Sequence, residues 1–373
     1  MSEKGLADVV AAETKLSDID GKLGKLFYVG YDIHDLAQHA TFEETMYLLH
    51  YLRLPNRDEL DDLNERLLAE RDLDEFTAGL MPTFAEAASP MSMLRTGVSA
   101  GSAYDPDGWD NSAEANERKA IRLMARFPTM IAAYHRLRTG QDPIPPNPKL
   151  PHAANFLTML LGEEPDEEVA RAFDICLVLH ADHTMNASTF AGRVVASTLA
   201  DMHSAITAAI AALKGPLHGG ANEAVMKMVE EIGPDPRRAD EYIKRKLARR
   251  QKIMGFGHRV YRTEDPRATW LRRMSKQLAE ESGEGRWYEA SLRIEKTVME
   301  EKGIYPNVDF YAASVYRSMG IPTDLFTTVF AASRVSGWTA HVREQLADNR
   351  LIRPESDYIG PTGLRYVPIE ERG

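Results

Sequence analysis

Apolar residues recur every three to four positions through most of the chain, which is the spacing of one face of an α-helix. The chain does not alternate strand patterns with helix patterns, so no parallel sheet is predicted. One long helical pattern contains Pro128, which is expected to kink or split it because proline lacks a backbone N–H. The apolar spacing predicts helices at residues 45–54, 57–73, 117–137, 167–180, 188–213, 223–231, 239–251, 267–283, 288–302 and 325–346.

The two ends of the chain carry a different pattern. Residues 17–23 hold a turn signal beside short apolar runs, and residues 26–31 are typical of a strand, so a small hairpin is predicted. Residues 351–369 contain three prolines among aromatic residues and predict an extended arm. The predicted fold class is therefore all-α, with minor β structure at the termini.

Size and composition predict a soluble, cytoplasmic globular protein. The chain has 373 residues, 43% of them hydrophobic, which is enough for a large core and suggests two domains. The amino terminus lacks an apolar signal core, and no run approaches the roughly 18 apolar residues of a membrane-spanning helix. The single Cys176 lies in an apolar pattern, so we expect no disulfide within the chain and a buried, inert thiol.

The charge of the chain is unevenly distributed. The net charge is −11, yet residues 237–276 hold 14 Lys and Arg against four acidic residues. The acidic remainder argues against a nucleic-acid partner. A basic segment in an acidic protein suggests an anion site, since arginine matches carboxylates and phosphates, although a solvated helix face explains part of it equally well.

A histidine enclosed by glycines is the first candidate for chemistry. In residues 214–223, Gly215 and Pro216 end one helical pattern, His218 follows, and two glycines precede the next helix. A histidine at a helix amino terminus is held neutral, so its ring can donate a hydrogen bond to a carbonyl oxygen that gains charge. The alternative is a glycine-rich turn with an incidental histidine.

Two further segments downstream strengthen the first. Gly255 and Gly257 precede His258, and their exposed backbone N–H groups suit a phosphate or nucleotide, although neither the dinucleotide fingerprint nor the P-loop spacing is met. Asp309 lies between two apolar residues after a Gly and a Pro, so partial desolvation would make it a stronger base. The alternative role for Asp309 is the N-cap of the following helix.

The pair His180 and His183 suggests a metal site. A zinc site needs a third strong ligand and usually two ligands spaced i, i+4 on a helix, so no metal is predicted. Neutral histidines that hydrogen-bond a carboxylate or a keto oxygen fit the arginine-rich context better. Arg334 and Arg353 are the remaining cations of interest, although each taken singly is more often a surface residue.

These segments together resemble the citrate synthase family, which includes 2-methylcitrate synthase. The segments occur in the family's order and spacing, and the likeness covers essentially the whole chain. The matching segments are residues 215–222, 255–261, 265–267, 306–309 and 333–338.

The resemblance implies an acyltransferase that condenses acetyl-CoA with oxaloacetate in a Claisen-type reaction and hydrolyses the thioester to citrate and CoA, at the entry to the tricarboxylic acid cycle. Asp309 would remove a proton from the acetyl methyl group while His218 donates to the thioester oxygen. His258 would donate to the ketone oxygen of oxaloacetate. No cofactor and no metal are implied.

The resemblance also implies the groups that hold the substrates. Oxaloacetate would be bound by His183, Arg267, Arg334 and Arg353. CoA would be bound by Gln251, Lys252, Ile253, Met254, Gly255, Arg262, Lys302 and Asn307.

The family fold is a large helical domain, here residues 1–215 and 317–373, and a small helical domain, residues 216–316, that closes over the substrates. The family is a homodimer with shared active sites, so Arg353 would be donated to the neighbouring subunit. Two alternatives remain: 2-methylcitrate synthase, which uses propionyl-CoA through the same catalytic trio, and an inactive helical scaffold that binds anions.

Overall fold

Helices dominate the structure, as the apolar spacing predicts. The structure is a computed structural model that describes residues 4–6, 9–283 and 285–372. Sixteen α-helices lie in these residues. They are α1 (Ile33–His39), α2 (Phe42–Tyr51), α3 (Arg57–Ala69), α4 (Glu75–Ala87), α5 (Pro90–Gly101), α6 (Ala113–Arg138), α7 (His152–Leu161), α8 (Glu167–His180), α9 (Ala187–Ser197), α10 (Met202–Leu213), α11 (Ala221–Ile232), α12 (Ala239–Ala248), α13 (Pro266–Ser282), α14 (Gly285–Lys302), α15 (Val308–Ser318) and α16 (Phe326–Ala347).

The predicted amino-terminal hairpin is present. Its two main strands are antiparallel and Ser17 is opposite Tyr28. The second strand ends earlier than residues 26–31 predict, because Val29 (φ 49°) and Gly30 (φ 86°) form a left-handed turn. The strands are β1 (Ser17–Asp20), β2 (Lys25–Tyr28) and β3 (Tyr31–Asp32).

Helix α16 forms the centre of the core. It is buried on all faces rather than along one apolar stripe, because neighbours surround it on every side. Helices α2, α6, α8, α9 and α10 pack around it. Trp338 and Arg334 of α16 are among the largest fully buried side chains. A buried arginine on the central helix needs a polar partner, which suggests a functional site beside it.

Helix α6 is continuous through Pro128, so the prediction that this proline splits the helix is wrong. Pro128 is buried and cannot donate to the carbonyl of Met124, which costs one helical hydrogen bond. The helix is held on both sides of the proline by packing against α4, α7 and α16. Tertiary packing therefore outweighs the local preference of proline.

The single helix predicted at residues 188–213 is two helices, α9 and α10. The break lies at residues 198–201, where Leu199 adopts φ 65°. Asp201 then caps α10 by accepting a hydrogen bond from the Ser204 N–H at 3.0 Å. The two helices pack closely against each other.

Helices α11 to α15 pack mainly against one another, and α13 and α15 form their closest pair. Their contacts with the remaining helices run through α1, α8 and α16. The amino end of α11 and the amino ends of α13 and α15 lie at this junction. The glycine-rich segments of the sequence therefore come together where two groups of helices meet.

The chain beyond α16 is extended, as its prolines predict, and no strand occurs there among the described residues. In the described residues the strands are thus confined to the amino-terminal end, and an isolated β-bridge joins Phe256 to Pro306. The arm exposes apolar side chains such as Ile359 and Tyr366. In the described ranges, no helix combines the length and apolarity needed to cross a bilayer.

Candidate active site

His218 lies in the turn between α10 and α11, and glycine is required beside it. A Cβ on Gly219 would lie 2.5 Å from the Leu213 carbonyl oxygen, which is closer than any side chain tolerates. The Gly219 N–H donates to that same oxygen at 2.9 Å. The turn is therefore compact, and it holds the histidine against α9 rather than in solvent.

The tautomer of His218 follows from its contacts with Ser188 at the start of α9. The Ser188 backbone N–H donates to His218 Nε2 at 3.3 Å, and Ser188 Oγ lies 2.8 Å from the same nitrogen. An N–H donor can only meet a lone pair, so Nε2 is the acceptor and the ring proton is on Nδ1. Burial, then the charge of Arg334, lowers the pKa of His218 to about 4. The ring is a neutral donor at Nδ1.

His258 has the opposite tautomer. Its Nδ1 accepts from the backbone N–H groups of Val260 at 3.0 Å and Tyr261 at 3.2 Å. The proton therefore lies on Nε2, which is left free to donate. Burial, and then the charge of Arg267, lowers the pKa of His258 to about 4. The site thus contains two neutral imidazoles that present opposite nitrogens.

His183 lies beside His258. The two ring centroids are 5.2 Å apart in an edge-to-face arrangement, and His183 Nε2 lies 3.3 Å from the Tyr261 hydroxyl. Burial, followed by the charge of Arg267, lowers the pKa of His183 well below its usual value. His180 faces elsewhere, since its Nδ1 lies 2.7 Å from the Cys176 carbonyl oxygen. In the described ranges no three His, Cys, Asp or Glu side chains are arranged to hold a metal.

Asp309 is not the N-cap of its helix, so that alternative is wrong. Asn307 caps α15 by accepting from the Asp309 N–H at 3.1 Å. Oδ1 of Asp309 is fully shielded from solvent and has no hydrogen-bond partner in the described residues. Burial, which outweighs the attraction of Arg267, raises the pKa of Asp309 to about 7. This carboxylate is a base of unusual strength for an aspartate.

Arg267 is buried in a two-point ion pair with Asp265. Its Nε donates to Oδ1 at 2.9 Å and its Nη2 to Oδ2 at 2.7 Å. The same Asp265 carboxylate accepts from the Val308 N–H at 3.3 Å, so it ties the start of α13 to the start of α15. The Asp265 carboxylate thereby sets how far the Arg267 guanidinium lies from Asp309, which is in the first turn of α15.

Arg334 has no carboxylate partner within the described residues. Its Nε donates to the His180 carbonyl oxygen at 2.7 Å, and its guanidinium lies 4.7 Å from the centre of the Phe330 ring. Burial lowers the pKa of Arg334 to about 10, and the negative charge of Asp182 opposes this shift without cancelling it. A buried cation of this kind suits an anionic ligand.

The residues predicted to bind CoA lie in two adjacent segments. The Asn307 N–H donates to the Gly255 carbonyl at 2.9 Å, and the Gly257 N–H donates to the Tyr305 carbonyl at 3.0 Å. Gly255 has φ 81°, and a Cβ there would lie 2.7 Å from Val225 Cγ2. The exposed side chains of these segments are those of Gln251, Lys252 and Lys302, and the Arg262 side chain is also exposed. Ile253 is buried, and Met254 and Asn307 are half-buried.

Arg353 does not join the other site residues within the chain. It is exposed on the arm and lines a groove of about 1530 Å³ between the amino-terminal segment and the end of α16. The groove is lined also by Leu6, Val9 and Ile352. The charges that act on Asp309 are those of Arg267, Asp265 and Arg334.

Two residues of the site escaped the sequence analysis. Ser188 determines the tautomer of His218, and its only sequence signal is its place at the start of a helix after an Asn cap. Asp265 was seen only as part of a matching segment, although the Asp-Pro-Arg order is itself the signal of a capped helix whose arginine folds back on the cap.

The site combines neutral histidines with opposed free nitrogens, an aspartate of raised pKa and a buried arginine without a carboxylate partner among the described residues. Such a set of proton donors and acceptors in a helical fold is typical of an acid–base enzyme. The comparisons with known proteins give the family. The family model described as citrate synthase, C-terminal domain, matches residues 5–355. The chain belongs to the citrate synthase family.

Similar proteins cover the full chain. Citrate synthase 2 of Bacillus subtilis is 52% identical, and citrate synthase of Haloferax volcanii is 51% identical; each match covers 99% of both chains. The ternary complex of carboxymethyl coenzyme A and oxaloacetate with citrate synthase from Thermoplasma acidophilum has a TM-score of 0.93 at 36% identity, over 99% of each chain. Relatives at 41 to 44% identity include 2-methylcitrate synthases.

The raised pKa of Asp309 has a consequence for stability. An aspartate whose folded pKa exceeds its unfolded value of about 3.9 destabilises the fold as pH rises toward the folded pKa. Asp309→Asn removes this ionisation. We expect the variant to melt at a higher temperature than the wild type at pH 8, by about 3 °C, and the difference to shrink at pH 5. Scanning calorimetry at both pH values measures it, and an equal difference at both would contradict the assignment.

Proposed function

We propose that the protein is a citrate synthase that condenses acetyl-CoA with oxaloacetate and hydrolyses the product to citrate and CoA, at the entry to the tricarboxylic acid cycle. Its similarity to enzymes named citrate synthase supports this, as does the ternary complex of a similar enzyme with a CoA analogue and oxaloacetate. The observation that carries the proposal is the contrast between Asp309, a base, and two neutral histidine donors, His218 and His258.

The first step is removal of a proton from the acetyl methyl group. Oδ1 of Asp309 has a free lone pair and a pKa near 7, so it accepts the proton better than an ordinary aspartate. His218 Nδ1–H donates to the thioester oxygen as charge develops there. The neutral imidazole keeps its proton and shares it in this hydrogen bond, so the intermediate is an enolate whose developing charge His218 stabilises.

The second step forms the carbon–carbon bond. The electron pair of the enolate attacks the ketone carbon of oxaloacetate, and the ketone oxygen takes a proton from His258 Nε2–H. The two hydrogen bonds from backbone N–H groups to His258 Nδ1 hold the ring so that Nε2 is free for this role. Water then adds to the thioester carbonyl and gives a proton back to His258. The proton held by Asp309 passes to the sulfur, so CoA leaves as the thiol and citrate remains.

Oxaloacetate is a dianion, and the buried cations of the site suit its carboxylates. We assign its binding to His183, Arg267 and Arg334, with Arg353 from the neighbouring subunit. The buried charge of Arg334 supports this assignment, because the described residues place no carboxylate in contact with it. CoA is assigned to the paired segments 251–255 and 302–307 and to Arg262, where the exposed cations Lys252, Lys302 and Arg262 lie. The reaction needs neither a metal nor an organic cofactor.

The assembly is proposed as a cytoplasmic homodimer with shared active sites. The large domain comprises residues 1–215 and 317–373, and the small domain, residues 216–316, closes over the substrates. The mutual packing of α11 to α15 supports this division. The extended arm with its exposed Ile359 supports contact with a second subunit, since isolated apolar arms are stabilised by a partner.

The second candidate is 2-methylcitrate synthase, favoured by relatives with that name. The two activities differ by one methylene, which a pocket discriminates by about 10- to 200-fold. We expect kcat/KM to be at least about tenfold higher for acetyl-CoA than for propionyl-CoA with oxaloacetate. Thiol release by purified protein measures both constants. A preference for propionyl-CoA would replace the first candidate by the second.

The same assay separates both enzymes from an inactive anion-binding scaffold. Oxaloacetate binding is measured by calorimetry in parallel with CoA release. Binding without release from either thioester would support the scaffold and reject both enzymatic proposals.

A further inference from the structure

Tyr261 is a residue whose role none of the steps above explains. Its side chain is 4% exposed, and its ring lies edge-on to His183 at 5.7 Å and tilted against His258 at 4.6 Å. Its backbone N–H donates to His258 Nδ1, while its hydroxyl lies 3.3 Å from His183 Nε2. One residue therefore contacts both histidines at the oxaloacetate end of the site.

The contact between Tyr261 and His183 has a preferred direction. The tyrosine hydroxyl carries one proton, and among the described residues His183 Nε2 is its only hydrogen-bond partner. If Nε2 carried the ring proton and donated, the buried hydroxyl proton would have no acceptor. Buried donors are almost always paired, so the hydroxyl donates and Nε2 accepts.

The ring proton of His183 must then lie on Nδ1. The imidazole is neutral because it is buried beside Arg267, so it has only one proton to place. Nδ1 has no partner within the described part of the chain, and it is not enclosed like the buried orphan atoms of other side chains. Nδ1–H is thus available to a ligand, whereas Nε2 is not.

The amino-terminal hairpin holds Tyr261 in place. The Arg262 N–H donates to the Gly21 carbonyl at 2.8 Å, in the turn between β1 and β2. A Cβ on Gly21 would lie 2.3 Å from the Val260 carbonyl oxygen, so only glycine permits this approach of two backbones. The hairpin turn and the Tyr261 segment are therefore in direct contact.

We propose that Tyr261 is a positioning residue that fixes His183 in the Nδ1–H tautomer, and that Gly21 of the hairpin turn holds Tyr261 for this purpose. The site then contains three neutral histidines, and a different protein group sets the tautomer of each. Ser188 sets that of His218, and the backbone N–H groups of Val260 and Tyr261 set that of His258. The Tyr261 hydroxyl sets that of His183. The consequence for substrate rests on the proposed function, because it takes His183 as an oxaloacetate ligand.

The test uses histidine labelled with ¹⁵N in the full-length protein without substrate. Two-bond ¹H–¹⁵N spectra distinguish the two neutral tautomers, and a His183→Gln variant assigns the resonance. We expect His183 to be the Nδ1–H tautomer in the wild type. In Tyr261→Phe, which removes only the hydroxyl, we expect the Nε2–H tautomer to appear. Tyr242→Phe is the matched control, because Tyr242 donates to Glu231 instead.

Two results overturn the proposal: an Nε2–H tautomer of His183 in the wild type, or no change of tautomer in Tyr261→Phe. Gly21→Ala tests the hairpin, and a Cβ there should shift Tyr261 and give part of the same change. Gly79→Ala, in an open position on α4, is its control. Unchanged spectra in Gly21→Ala would reject the role of the hairpin.

The kinetic test is separate. We expect Tyr261→Phe to raise the KM for oxaloacetate by about 3- to 10-fold, the effect of one neutral hydrogen bond, with kcat nearly unchanged. A changed tautomer with an unchanged KM would leave the tautomer assignment standing and reject His183 as an oxaloacetate ligand. Loss of stability alone would lower the amount of active enzyme but would move neither the tautomer nor the KM.

Discussion

Asp309→Asn is expected to lower kcat by about 10²- to 10⁴-fold, the usual contribution of a general base. The amide has almost the shape of the carboxylate but cannot accept a proton from carbon. Oxaloacetate affinity should change little, since the carboxylate meets the acetyl methyl group and not the dianion. Steady-state kinetics and calorimetric titration with oxaloacetate measure the two quantities independently.

Asp174→Asn is the matched control for this experiment. Burial also raises the pKa of Asp174 to about 7, but its carboxylate contacts Phe42 and Arg171, which lie outside the site. Its kcat should stay within about twofold of the wild type, as expected where no catalytic contact is lost. If Asp309→Asn keeps normal turnover while oxaloacetate affinity collapses, Asp309 is an anion-site residue and not the base.

The pH dependence of wild-type activity should show the ionisation of Asp309. Asp309 must be ionised to act as a base, and its pKa of about 7 means that it becomes protonated as pH falls through neutrality. We therefore expect kcat/KM for acetyl-CoA to fall tenfold per pH unit below about pH 6, the limiting slope for one essential base. His218 and His258, with pKa values of about 4, stay neutral throughout this range.

Arg353→Ala is expected to weaken oxaloacetate binding by about 2–5 kcal/mol, the range for truncation of one member of a desolvated charge pair. Within one chain, Arg353 lines the groove at the end of α16, apart from the cluster of Arg267 and Arg334. Its effect on binding therefore requires the arm to reach a second subunit. Arg365→Ala, an exposed arginine further along the same arm, should leave affinity nearly unchanged.

A mixed dimer tests donation between subunits directly. A wild-type subunit is paired with a subunit that carries both Arg353→Ala and Asp309→Asn, and differently tagged chains isolate the heterodimer. Donation in trans spoils both sites, one through the base and the other through the arginine, so activity should be almost absent. Action within one chain would leave one site intact, and about half of the wild-type rate would refute donation.

Local patterns allowed most of the fold to be predicted. Helix α8 has the bounds predicted from apolar spacing, and the hairpin lies at the turn predicted for residues 17–23. The errors fall where tertiary contacts outweigh local preference. Pro128 stays inside a continuous helix because its neighbours pack on both sides. Helix α9 ends just before Leu199, whose left-handed backbone nothing in the local pattern indicates.

The sequence by itself determined the family, the all-helical class and the identities of the candidate chemical groups, because these depend on residue types and on their order along the chain. Only the tertiary structure decided the state of each group. The proton of His218 is set by Ser188, thirty positions away, and the raised pKa of Asp309 arises from burial. Tautomers and pKa values depend on solvent exclusion and on partners distant in sequence, and these exist only once the chain has folded.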